Sequence, residues 1–100
     1  MIYKIAIGTD HRGFELKEHL VQTVVIDQCM IEWIDCGAYN NESSDYPIFA
    51  NQVCQTIIDK KADYGILLCG TGVGMAIAAN RHKTIRAGLV WNAEVARLAK

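Results

Sequence analysis

Apolar and polar positions change period several times along the chain, and each change predicts an element. Ile2 to Gly8 is almost continuously apolar and rich in β-branched residues, the pattern of a strand covered on both faces. Similar runs recur at Ile31-Glu32-Trp33-Ile34, at Tyr64 to Cys69 and at Ile85 to Val90. After the first run the period lengthens. Leu16, Leu20 and Val24 fall on one helical face with Val21 and Val25 beside it, while Glu15, Glu18 and Gln22 turn outward. This predicts a helix from about Phe14 to Ile26. A second helix should begin near Pro47, which suits a first helical turn, with Asp45 or Ser44 as cap and Phe49, Val53 and Ile57 on its buried stripe. A third opens within Gly72-Val73-Gly74 and carries Met75 to Asn80, and a fourth, capped by Asn92, runs through Glu94 to Lys100.

Strand followed by helix, repeated along the whole chain, demands right-handed crossovers and a parallel sheet. The predicted fold class is α/β: a three-layer Rossmann-like or flavodoxin-like parallel sheet of four strands with helices on both faces. One hundred residues suit one domain spanning 1–100, because cores split only beyond roughly 250 residues. The last helix stops at Ala99-Lys100 without a Gly, Asn or Pro stop signal, so the chain is expected to be truncated at its C-terminus.

Composition narrows the function classes. At 51% hydrophobic and 21% charged residues the chain can build a core and does not read as disordered. Ten Lys and Arg against eleven Asp and Glu give a net charge of -1, with the basic residues scattered. Neither nucleic acid nor an anionic membrane is an expected partner. The longest uncharged stretch, Tyr64 to Asn80, holds four of the eight glycines and falls short of the ~20 apolar residues of a bilayer span. The N-terminal apolar run is too short for a signal h-region, so a cytoplasmic location is expected. Cys29, Cys36, Cys54 and Cys69 show no C-x-x-C spacing, which predicts reduced thiols, mostly buried, and no metal site.

In a doubly wound sheet, ligands bind outside the carboxyl ends of the strands, and three of the four ends carry unusual sequences. The first is Gly8-Thr9-Asp10-His11-Arg12-Gly13, the second Asp35-Cys36-Gly37-Ala38-Tyr39 followed by Ser44-Asp45-Tyr46-Pro47, and the third Cys69-Gly70-Thr71-Gly72-Val73-Gly74. Alternate glycines opening a helix read either as a cradle of N–H groups for an anion or as a tight strand-to-helix turn. Cys69 in front of them reads as a base or nucleophile facing a helix N-terminus, or as packing. Asp10 and His11 could hold a hydroxyl or a phosphate, or Asp10 could cap a helix with His11 solvated beside it. Tyr46 could close over a ligand or staple the following helix. His19 and His82 read as surface residues.

With these segments in order, the sequence resembles the type B ribose-5-phosphate isomerase family, which includes the galactose-6-phosphate isomerase subunits. The resemblance runs through essentially the whole chain. It is carried by Gly8 to Lys17, by Asp45-Tyr46-Pro47, and by Gly65 to Gly74 continuing to Ala78-Ala79-Asn80 and Ile85-Arg86-Ala87. It implies an aldose–ketose isomerase that interconverts ribose 5-phosphate and ribulose 5-phosphate through an enediolate. Cys69 would be the base moving a proton between C1 and C2, the N–H groups of Gly70 to Gly74 would stabilise the enediolate oxygen, and Thr71 would lie against the substrate. The implied substrate-binding set is Asp10, His11, Tyr46, Gly70, Thr71, Gly72, Val73, Gly74 and Asn80. No cofactor is expected, and the implied assembly is a homodimer or a dimer of dimers. The family's acid–base histidine and phosphate-binding arginines would lie beyond Lys100, so the chain reads as the N-terminal two-thirds of such an enzyme. A galactose-6-phosphate isomerase subunit is the alternative within the family. A non-catalytic phosphate-binding module on the same fold is the alternative outside enzymology.

Overall fold

The computed structural model describes residues 1–26 and 28–99. The most apolar run of the sequence becomes the central strand. β1 (Ile2–Thr9) lies between β2 (Met30–Asp35) and β3 (Tyr64–Leu68) in a parallel sheet of order β2-β1-β3. Ile5, Ala6, Ile7, Gly8 and Thr9 are all buried in sequence, as only a strand flanked on both edges and covered on both faces can be.

Strand register sorts these residues between the two faces. Ala6 is level with Ile34 and Gly65, and Ile7 with Asp35 and Ile66. On the Ala6 face lies α2 (Tyr46–Ile58). Val53 packs in a core cluster with Ala6, Cys36 and Ala62, with Ile34, Ile57 and Leu67 against it. There is no room for a Cβ at Gly8 or Gly65, which would meet Val53 at 2.8 and 2.7 Å. On the Ile7 face lies α1 (Phe14–Thr23), tied to β2 by a bond from Lys17 to Asp35. Helices therefore cover both faces, as the sequence predicts. α3 (Val73–Asn80) packs on α2 through Met75, Ala78 and Ala50, and α4 (Ala93–Ala99) is capped by Asn92, whose Oδ1 accepts the Val95 N–H at 2.8 Å.

Two expectations are corrected. The run Ile85 to Val90 forms no strand: it crosses beside β3, which bounds a cleft of about 740 Å³ together with Thr84 to Val90. In the middle of the run the Asn80 side chain takes the place of a strand partner. Its Nδ2 donates to Ala87 O at 2.9 Å and its Oδ1 accepts from Ala87 N at 2.8 Å, occupying the two backbone groups that a ladder partner would use. The first helix ends at Thr23 rather than Ile26, because Val24 turns extended (ψ 126°) as a run of β-branched residues begins. Its expected apolar stripe also shifts: Leu16 is 51% exposed and the one fully buried side chain of α1 is Lys17.

Candidate active site

Parallel pairing of Thr9 with Leu68 sets the residues that follow β1 beside those that follow β3. After β1 the chain makes a 3-10 turn, His11–Gly13. Asp10 is almost fully buried, and its Oδ1 accepts the Arg12 N–H at 2.9 Å, so the capping role is real and one carboxylate oxygen remains beyond it. His11 is not simply solvated. Its N–H donates to Ser44 Oγ at 3.1 Å, and the Ser44 N–H donates to His11 Nδ1 at 3.1 Å. Nδ1 also lies 3.3 Å from the Ser44 carbonyl oxygen, so Ser44 holds the ring through this one nitrogen. Gly13 is forced to be glycine by Thr9 Oγ1 and by Leu68 Cβ, which stands at 2.9 Å from the position of a Cβ.

After β3 the roles of backbone and side chain reverse. Cys69 is half-buried at the head of the glycine loop, and the Gly72 N–H donates to its Sγ at 2.9 Å. Gly72 caps α3 with φ +82°, a conformation that favours glycine. The Val73 N–H reaches back to Thr71 Oγ1 at 3.3 Å. Each glycine in the loop makes space for a neighbour. A Cβ on Gly70 would stand 2.7 Å from Arg12 Nη1, one on Gly72 2.6 Å from Leu89 Cδ1, and one on Gly74 2.8 Å from the Tyr46 ring. Neither Gly70 nor Gly74 has a positive φ; at Gly74 a Cβ would crowd the Tyr46 ring, and at Gly70 it would crowd the flexible Arg12 side chain.

An ion pair whose lysine is fully buried braces the β1 side. Lys17 Nζ lies 2.7 Å from both carboxylate oxygens of Asp35, with Glu18 at 3.3 Å and the Phe14 and Tyr39 rings each 5.5 Å away. Asp35 Oδ1 also accepts the Gly37 N–H at 2.9 Å. Gly37 and Ala38 in turn bond to both backbone groups of Thr9, at 2.7 and 2.8 Å. The charge buried by α1 thereby fixes the backbone that delivers Asp10.

Asp10, His11, Tyr46, Cys69, Gly70, Thr71, Gly72, Val73 and Gly74 all lie at the carboxyl end of the sheet, on the turn after β1 or at the starts of α2 and α3. Asn80 is the exception. It ends α3, roughly 10 Å along the axis from Val73 at 1.5 Å per residue, and Ala87 takes both polar atoms of its amide. Ser44, read as a helix cap, holds His11 instead, and Asp45 occupies the cap position without a side-chain bond. His82 Nε2 lies 3.0 Å from Asn51 Oδ1. The sequence pattern assigns no role to Arg12 or Lys17. Of the cysteines, Cys36 and Cys54 are buried, and burial pushes the Cys54 thiol up. Among the described residues no three His, Cys, Asp or Glu side chains are arranged to hold a metal ion, and no helix is long and apolar enough to cross a membrane.

The profile of the family described as Ribose/Galactose Isomerase matches residues 5–100. The chain belongs to this family. As a family member it is 48% identical over 84 residues to ribose-5-phosphate isomerase B of Escherichia coli, covering 84% of this chain and 55% of that protein. Its fold matches a ribose 5-phosphate isomerase from Thermotoga maritima with a TM-score of 0.81 at 48% identity, over 97% of this chain and 66% of that one. It matches ribose-5-phosphate isomerase B of Clostridium thermocellum with a TM-score of 0.86 at 40% identity, over 96% and 64%. This isomerase-family chain thus spans between 55% and 66% of the length of these relatives.

Proposed function

We propose that the natural protein carrying this chain interconverts ribose 5-phosphate and ribulose 5-phosphate, with Cys69 as the base. The observation that carries the reading is the Cys69 sulfur at the head of the glycine loop, level with Asp10 and His11 and held by the Gly72 N–H. In the aldose-to-ketose direction Cys69 takes the proton from C2, and the electrons left behind form the C1–C2 double bond of an enediolate with negative charge on the former carbonyl oxygen. The same proton returns to C1, the O2 proton passes to O1, and the carbonyl stands at C2. Atoms and electrons balance without an oxidant, so the reaction calls for no cofactor.

In this reading Thr71 and Val73 shape the loop against the substrate, while the His11 ring and the free Asp10 oxygen bind its hydroxyl or phosphate oxygens. Tyr46 closes the side of the site next to Gly74. The small-molecule substrate is a sugar phosphate, and the protein acts in the cytoplasm as a homodimer or a dimer of dimers. A second reading, a galactose-6-phosphate isomerase subunit, is favoured by the family's own description, which covers both sugars.

The test is turnover of both sugar phosphates by the natural protein and by its Cys69→Ala variant. Ribose 5-phosphate should be the better substrate, and Cys69→Ala should lose ~10²-fold or more in kcat, the scale of a positioned base, with an unchanged melting temperature. Preference for the hexose phosphate would select the second reading. Near wild-type turnover by Cys69→Ala would return the thiol to packing, and absence of turnover with retained phosphate binding would leave a binding module.

A further inference from the structure

We propose that Arg12 supplies the positive charge for the substrate oxygen that becomes anionic beside Cys69, an inference that rests on the isomerase reading above. Arg12 lies in the turn that parallel pairing sets against the end of β3. Its backbone is fixed by the bond from its N–H to Asp10 Oδ1. From that root the side chain runs along Gly70, with Cδ at 3.1 Å and Nη1 at 2.7 Å from the place a Cβ would occupy. With no side chain at position 70, the guanidinium lies over the backbone at the mouth of the loop, one residue from the thiol.

Charge accounting points the same way. Two loop N–H groups are already committed, that of Gly72 to the Cys69 sulfur and that of Val73 to Thr71 Oγ1. The loop therefore offers a developing oxyanion fewer donors than its glycines suggest. Lys17, the other cation following β1, is consumed by Asp35 and Glu18. Arg12 makes no ion pair among the described residues and is exposed. A guanidinium is permanently charged and presents several donors in a plane, which suits an enediolate whose oxygens lie in one plane. A sugar phosphate carries its phosphate at the opposite end of the carbon chain from the carbonyl. A cation beside Gly70 therefore serves the reacting end.

The experiment compares Arg12→Ala, Arg12→Lys, Gly70→Ala and the double variant Arg12→Ala/Gly70→Ala in the natural protein. Two readouts are used: isomerase kinetics, and calorimetric binding of inorganic phosphate and of a phosphorylated aldonate, which carries a fixed negative oxygen where the enediolate forms. Arg12→Ala should lower kcat by ~10²-fold, the scale of one oxyanion donor, with KM changed less than about threefold. It should weaken the aldonate and leave inorganic phosphate unaffected, and Arg12→Lys should recover part of kcat. Gly70→Ala, whose methyl displaces the guanidinium, should resemble Arg12→Ala, and the double variant should be no worse than either. A raised KM with preserved kcat, or equal loss of both ligands, would assign Arg12 to the phosphate end and overturn the proposal. So would unchanged kinetics, or additive effects of the two substitutions. If the wild type binds the aldonate through Arg12 yet turns over no sugar phosphate, the isomerase reading fails while the anion contact stands; if it binds no aldonate, the contact itself is refuted.

Discussion

The turns after β1 and after β3 sit side by side, yet they are built in opposite ways. After β1, side chains are spent on backbone: Asp10 on the Arg12 N–H, and His11 and Ser44 on each other's N–H groups. After β3, backbone is spent on side chains: the Gly72 N–H on Cys69 and the Val73 N–H on Thr71. The first turn is braced from outside, through Lys17, Asp35 and Gly37. The second is held mostly from within and shaped by what its glycines let in. One side of the site is thus set in place before a ligand arrives, while the other keeps its donors on groups of its own loop.

The comparison can be broken most directly at Gly74. A valine there would meet the Tyr46 ring at several atoms within 3.2 Å, pushing apart the starts of α2 and α3. Substrate affinity of the natural protein should fall and kcat/KM with it, by ~10²-fold, the scale of a 1 Å misplacement of reacting groups, while the melting temperature moves little. A larger effect on stability than on affinity, measured by calorimetry and thermal melting, would mean that this glycine serves packing alone.

On the braced side, Lys17→Met should act in the opposite sense and cost stability first. Removing one partner of a fully buried pair costs about 3–5 kcal/mol, and Asp35, at 39% exposure, recovers some hydration, so about 2–3 kcal/mol is expected. Denaturant unfolding would read it, and Lys17→Met/Asp35→Leu should restore much of the loss. A neutral Lys17→Met would show that the brace is dispensable.

Ser44→Ala probes the same side at the smallest scale. It removes the oxygen that accepts the His11 N–H and leaves the Ser44 N–H on Nδ1. About 1 kcal/mol of stability is expected to be lost, the net worth of one hydrogen bond, with a modest rise in KM. A large loss of kcat instead would place His11 nearer the chemistry than this geometry does.

Much of the frame was legible in the sequence because it depends on local pattern. Nearly continuous apolar runs marked β1 and β3, and Asn92 and Gly72 marked the starts of α4 and α3. The doubly wound topology then named the strand ends, and Cys69 followed from its place before the glycines. What was hidden depends on partners distant in sequence. Ile85 to Val90 has the composition of a strand, but the amide of Asn80 claims Ala87 from outside the run. Ser44 looked like a cap until His11, 33 residues away, took its hydroxyl. Periodicity put Leu16 and Leu20 on the buried face of the first helix and gave Lys17 no place there, whereas Asp35 on the neighbouring strand pulls it in. Arg12 is invisible to pattern altogether, since its meaning lies in what residue 70 lacks.

The buried Lys17 also bears on how the chain finds its native arrangement. Each residue along a helix turns it by about 100°, so docking α1 one position out of register would present Leu16 or Glu18 to Asp35 instead. The first leaves a carboxylate without its cation and the second sets two carboxylates together, so near-native dockings of α1 are penalised while one is rewarded. An all-apolar stripe would accept several such dockings with similar energy. Lys17 therefore acts as a key cut for one rotation of the helix, separating the native basin from its nearest competitors.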